Sequence, residues 1–169
     1  MPNGEVPAWE EKGMKISETI PLMRFLGKRY GFYSSNPKQA WVIDAELDFV
    51  YEMWFYFMKI TFPGPSNDTP ENREKWCAGI EKIACRYDEK LTKTPSKFIA
   101  GDRLTLPDFW MAVIVWSHWR NEIHNLGPDM RKVTESVLSK PEHKKFCEYI
   151  DRLHAALKTQ LESRKPSPM

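Results

Sequence analysis

Asp44, Asp48 and Glu52 recur at every fourth position, so on a helix they share one face. A row of three carboxylates repels itself and calls for a cation, a partner or water, and solvation is the ordinary answer for an exposed acidic face. Glu18 and Thr19 stand just ahead of the apolar residues Ile20, Met23 and Leu26, where their side chains suit a helix cap. Thr105 and Asp108 have the spacing of a capping box: the hydroxyl residue caps, and the carboxylate three positions on reaches back. Leu104 and Phe109 flank that box as a hydrophobic staple, and losing such a cap costs on the order of 1 kcal/mol. This motif reads as a folding signal and not as an active site. His118 and His124 are six apart, off helical register for a shared ion, with no third ligand beside them in sequence, so no metal is expected. Cys77 and Cys85, eight apart, are too distant for a disulfide on one helix, and Cys147 falls on the apolar side of the last helix and reads as core.

These residues need elements to hold them. The chain of 169 residues is long enough for one ordinary domain, and 41% apolar with 28% charged residues is a globular composition. The 25 basic and 23 acidic residues leave a formal charge of +2, which gives no electrostatic reason to bind nucleic acid or an anionic membrane. Three cysteines without a CxxC pair fit a reducing compartment. The opening residues lack the basic start and apolar core of a signal peptide. The longest apolar run, Phe109 to Trp116, is too short to span a bilayer.

Strands are expected only near the start, at residues 5–9 and 14–16, joined through Glu10-Glu11-Lys12-Gly13 as a hairpin. A short amphipathic helix follows through Ile20, Met23 and Leu26, with Gly27 and Gly31 marking its end. Asn36 caps the next helix, with Pro37 first and Gln39 third, and it runs to about Phe62 before Pro63-Gly64-Pro65. After a loop and a second cap at residues 66–70, Trp76, Ile80, Ile83, Tyr87 and Leu91 form an apolar stripe. Leu104 to about Arg120 is apolar nearly all round and reads as the buried centre of a bundle. A short helix carries Met130, Val133 and Val137 after Gly127-Pro128. Pro141 opens the last one, which carries Phe146, Ile150, Leu153, Leu157 and Leu161, and residues 164–169 read as a flexible tail. The fold class is mainly α: a β-hairpin and one helix over residues 1–30, a linker, and a bundle of about five helices over 36–163.

Gly101-Asp102-x-x-Thr105-x-x-Asp108 opening a central apolar helix resembles the C-terminal domain of glutathione S-transferases. Three further landmarks agree with that resemblance. Val6-Pro7-Ala8-Trp9, the turn at Gly13 and Ser17-Glu18-Thr19-Ile20 ahead of Met23-Arg24-Phe25-Leu26 resemble the second half of the family's thioredoxin-like domain. Arg29-Tyr30-Gly31-Phe32-Tyr33 resembles the family's linker, and Val42-Ile43-Asp44 the start of its first bundle helix. The resemblance covers nearly the whole chain and is strongest to the sigma, mu and alpha classes.

The resemblance implies a glutathione site in part. Val6-Pro7 matches the family's cis-proline dipeptide, whose backbone pairs with the cysteine of glutathione; an ordinary trans proline at a strand edge is the other reading. Thr19 matches the hydroxyl residue that holds the γ-glutamyl carboxylate at a helix N-terminus, and Glu18 matches the acidic or amide residue that meets the ligand's ammonium. Glu52 matches an acidic residue that reaches glutathione in the neighbouring subunit, which requires a homodimer. Some of Trp54, Phe55, Tyr56 and Phe57 would line the family's apolar substrate cleft, although such residues are more often core. The family's thiol-activating hydroxyl or thiol belongs to an earlier strand–helix–strand with no counterpart here.

The expectation is therefore a truncated, non-catalytic glutathione-transferase-like chain acting as an interaction or structural subunit. Another protein or a second copy would cover the hairpin edge near residues 4–9. The alternative is a working transferase whose catalytic segment is absent from this chain. Glutathione is the expected ligand or substrate. The expected location is the cytoplasm, or a mitochondrion or other organelle if the chain belongs to a larger assembly.

Overall fold

A computed structural model describes residues 7–62, 67–121 and 129–165. Strands β1 (Ala8–Glu11) and β2 (Met14–Ser17) pair antiparallel, with Ala8 opposite Ser17 and Glu11 opposite Met14. The link is tighter than expected. Only Lys12 and Gly13 turn, both with positive φ (49° and 80°), which matches the twist of a two-residue hairpin, while Glu10 and Glu11 belong to the strand. Helix α1 (Thr19–Tyr30) follows at once. Arg29 near its end forms a two-pronged ion pair with Glu11, its second prong 2.8 Å long, and this ties the hairpin to the helix.

Among the described residues, five further α-helices make the body: α2 (Pro37–Thr61), α3 (Pro70–Lys93), α4 (Leu106–Val113), α5 (Met130–Leu138) and α6 (Lys144–Ser163). Their starts follow the local chemistry. Gln39 N–H donates to Asn36 Oδ1 at 3.1 Å and Asn72 N–H to Thr69 Oγ1 at 3.2 Å, each cap followed by a proline at the first helical position. The expected apolar stripes face inward, from Trp76 to Leu91 on α3 and from Phe146 to Leu157 on α6. The hydrophobic core runs through α2 to α6, and a second cluster of Ile43, Leu47, Ala100 and Leu106 takes Ile20, Met23 and Phe32 from the α1 side.

Three local expectations are corrected. Gly27 lies inside α1 rather than at its end, and Gly31, with φ +81°, terminates it. A Cβ on Gly27 would stand 2.7 Å from Leu106 Cδ2, so α1 and α4 can approach this closely only without one. The central apolar segment is not one α-helix. After Val113 it widens into a π turn, Ile114–Trp119, closed by Arg120 N–H on Val115 O five residues back. Pro141 opens a single 3-10 turn, Pro141–His143, before α6 begins. Arg164, placed in the tail by sequence, donates to Ser117 Oγ at 2.9 Å and so fastens the end of α6 to the π turn. Residues 63–66, which include the Pro-Gly-Pro stop, 122–128, with His124 and Gly127-Pro128, and the tail from 166 lie outside the described residues. No helix among the described residues is long and apolar enough to cross a membrane.

Candidate functional site

The hairpin register brings Pro7 and Glu18 to the same end. Ala8 faces Ser17, so the residue before one and the residue after the other flank the open mouth of the ladder. Pro7 and Glu18 are exposed and Thr19 is half-buried; Val6 lies outside the described residues. Glu18 has φ +71° and ψ +125°, a backbone state that a non-glycine residue holds only when its surroundings impose it. Local capping is not the reason, because neither Glu18 nor Thr19 forms a side-chain cap hydrogen bond. The start of α1 therefore presents backbone N–H groups and the positive end of the helix dipole. A hydroxyl and a carboxylate sit beside them, both without partners among the described residues. An anion with an adjacent ammonium matches this set of donors and acceptors.

The acidic row on α2 has its cation. Arg24 of α1 donates to Asp44 Oδ1 at 2.8 Å and to Asp48 Oδ1 at 3.4 Å, and Tyr33 OH donates to Asp44 Oδ2 at 2.6 Å. Burial, and then the bond and charge of Asp44, push the Tyr33 phenol up to about 12. Solvation alone is thus not what Asp44 relies on; it latches α1 and the linker to α2. Glu52 stands apart, exposed, with no hydrogen bond or ion pair among the described residues.

Sequence reasoning missed Glu46, two residues after Asp44 and on the opposite, buried side of α2. It is 6% exposed. It accepts from Tyr87 OH at 2.9 Å, Lys90 Nζ at 2.5 Å and Arg86 Nη2 at 3.2 Å. Burial alone would raise its carboxyl, but the Lys90 hydrogen bond and the charges of Lys90 and Arg86 outweigh burial and leave it below the usual range. All three partners lie on α3, so Glu46 is a buried clamp between two helices rather than a site open to ligand.

Thr105 and Asp108 form the expected capping box, which does more than cap. Asp108 Oδ2 accepts from Thr105 N–H at 2.9 Å and Thr105 Oγ1 at 3.0 Å, while Oδ1 accepts from Ile99 N–H at 3.0 Å and Tyr149 OH at 3.1 Å. The carboxylate is fully buried and joins the start of α4, the loop before it and α6. The aromatic run divides: Phe57 is core, whereas Phe55 is 44% exposed and joins Tyr51, Trp54 and Trp110 in a wall of rings 4.9–5.8 Å apart. His118 is buried against Trp54 and Phe57. The three cysteines are free, with Cys147 half-buried and its Sγ 3.2 Å from Leu138 O.

No protein-family model matches the chain. Among curated proteins it is similar to glutathione S-transferase 2 of Caenorhabditis elegans, 26% identical over 117 residues, 66% of this chain and 62% of that protein. It is similar also to glutathione S-transferase 2 of Manduca sexta, 24% identical over 153 residues, 87% of this chain and 74% of that one. The chain thus spans 62% and 74% of the lengths of these two relatives. Its fold is that of the solved glutathione S-transferase Blo t 8, with TM-score 0.62 at 15% identity over 93% of this chain and 65% of that one. NaGST-2 gives 0.58 at 22% identity over 88% and 75%. A thioredoxin-like β-β-α start joined to an all-helical body is the architecture these structures share with the chain. Curated relatives and shared fold together support its place in the glutathione S-transferase family.

Proposed function

We propose that this polypeptide carries one half of a glutathione site and, by itself, acts as an interaction or structural subunit rather than as a catalyst. The observation that carries the reading is the sheet: among the described residues β1 pairs with β2 alone. A two-stranded ladder is marginal by itself, and the free edge of β1 offers backbone N–H and C=O groups to an added strand. Another protein or a second copy of the chain, seated along residues 4–9, supplies that strand. Exposed Glu52 is then the residue that reaches toward a neighbour's glutathione in a homodimer. The thiol-activating group, which in the family comes from an earlier strand, would have to come from the same source. We place the protein in a reducing compartment, the cytoplasm, or an organelle such as the mitochondrion if a larger assembly holds it. The test is the initial rate at which the purified 169-residue chain conjugates glutathione to a chromogenic aryl halide. A rate equal to the uncatalysed one is expected; robust turnover overturns the proposal.

One observation favours a second reading, a working transferase completed by a segment outside this chain. Glu18 keeps its strained φ of +71° beside an uncapped helix start, and such strain persists where a ligand site uses it. Under this reading Pro7, Glu18 and Thr19 bind glutathione whichever polypeptide activates its thiol. Titration of the chain with glutathione, followed by calorimetry, then gives a heat that Thr19→Val removes. No heat of binding from the folded chain removes this second reading and leaves the first.

A further inference from the structure

Away from the hairpin, one cluster assembles three kinds of metal-binding atom. Glu81 and Cys85 stand four apart on α3, so a single helical turn aligns a carboxylate oxygen with a thiol sulfur. His143, at the end of the 3-10 turn, packs against them, and one ligand atom from each of the three residues lies within 4.8 Å of the other two. His143 is fully buried, and neither of its ring nitrogens has a hydrogen-bond partner among the described residues; its Nε2 stands 3.8 Å from Glu81 Oε1. A buried imidazole whose facing carboxylate stands beyond hydrogen-bond distance is costly, and a metal ion between the two groups would satisfy both.

We propose that Glu81, Cys85 and His143 bind a zinc ion. The mixed oxygen, sulfur and nitrogen set suits zinc and is wrong for calcium or magnesium, which take oxygen alone. Zinc bonds of roughly 2.0–2.3 Å place tetrahedral ligand atoms nearer together than this spread. The exposed Cys85 and the half-exposed Glu81 close the gap by side-chain rotation while buried His143 stays fixed. Water fills the fourth position from the exposed Cys85 side. Asp88 and Glu142 add negative charge around Cys85. Lys140, which holds Glu81 at 2.7 and 2.9 Å, is 41% exposed and free to withdraw. Binding replaces the Cys85 S–H bond with a zinc–thiolate bond, the proton passing to solvent, and releases the Lys140 ammonium from Glu81. Sequence spacing could not reveal this site, because His143 comes from a different element than Glu81 and Cys85.

The test uses the whole chain, stripped with chelator, and cobalt(II) and zinc(II) salts as probes. One cobalt per chain is expected, with a near-ultraviolet sulfur-to-cobalt charge-transfer band and tetrahedral bands in the visible. Zinc should displace it and raise the melting temperature. Cys85→Ser should abolish the charge-transfer band and weaken zinc by roughly tenfold or more, with Glu81→Gln also weakening it. Cys77→Ser and Cys147→Ser should change neither. His143→Gln removes a core residue and is read only if it folds; the exposed Cys85→Ser keeps the question decidable. No charge-transfer band, a band that follows Cys77 or Cys147, or unchanged zinc affinity in Cys85→Ser overturns the proposal. The outcome is independent of whether glutathione binds.

Discussion

At Asp108, two oxygens serve two backbone N–H groups and two hydroxyls, all inside the protein. Removing the carboxylate strands those donors. Asp108→Ala should therefore lose about 3 kcal/mol in urea unfolding, well above the loss of about 1 kcal/mol for a simple cap. A loss no larger than that of Thr105→Ala would contradict the hub. Glu46 is also buried but has cations where Asp108 has neutral donors, and the two differ in sign. Burial leaves Asp108 above its ordinary value, whereas Lys90 and Arg86 hold Glu46 below 4.5 despite burial. A lowered carboxyl stabilises the fold at pH above its unfolded value and loses that contribution as pH falls through its folded value. Glu46→Gln should therefore flatten the loss of stability below about pH 4.5, measured by denaturation across an acid series. An unchanged slope would mean the clamp carries no linkage. The capping box was legible because its partners are three residues apart. Glu46 was not, because Arg86, Tyr87 and Lys90 come 40, 41 and 44 residues later.

Helix starts were legible for the same local reason: Asn36, Thr69 and Thr105 each act within one turn. How the helices meet was not. Gly79 interrupts a good apolar stripe on α3 for a reason only packing supplies. A Cβ there would stand 2.6 Å from Tyr56 Cε1 and 3.0 Å from two atoms of the buried Phe57 ring. Gly79→Ala should gain helix propensity yet destabilise by roughly 1–3 kcal/mol, because the Phe57 ring has no room to move. A stabilised variant would show that α2 and α3 have slack. The latch between α1 and α2 makes a second prediction at this scale. Tyr33→Phe should lose about 1 kcal/mol. It should also remove a phenol that ionises near 12 in an alkaline absorbance titration. A raised phenol contributes stability below its unfolded value, near 10, and loses it between there and about 12. Arg24 joins Asp44 and Asp48 across 20 and 24 residues, which is why the acidic row looked solvated from the sequence.

For the molecule as a whole, the proposed function rests on the division between hairpin and bundle. The bundle has its own core, while the hairpin leads into a helix start without a side-chain cap and, among the described residues, leaves one edge of β1 unpaired. The candidate residues of the glutathione site split accordingly. Pro7, Glu18 and Thr19 gather at one end of the ladder, and Glu52 faces solvent on α2. Their types were legible through family resemblance; the strained Glu18 backbone was not, since φ is a property of the fold and not of the residue. The central claim of the proposed function is that no group of the candidate site among the described residues activates a thiol. Its most direct measurement is the ultraviolet absorbance of the glutathione thiolate as a function of pH, with the 169-residue chain in excess. The account predicts a thiol that ionises near the ordinary value of about 8.5, with or without protein. Thiolate appearing at or below neutral pH in the presence of the chain would contradict it.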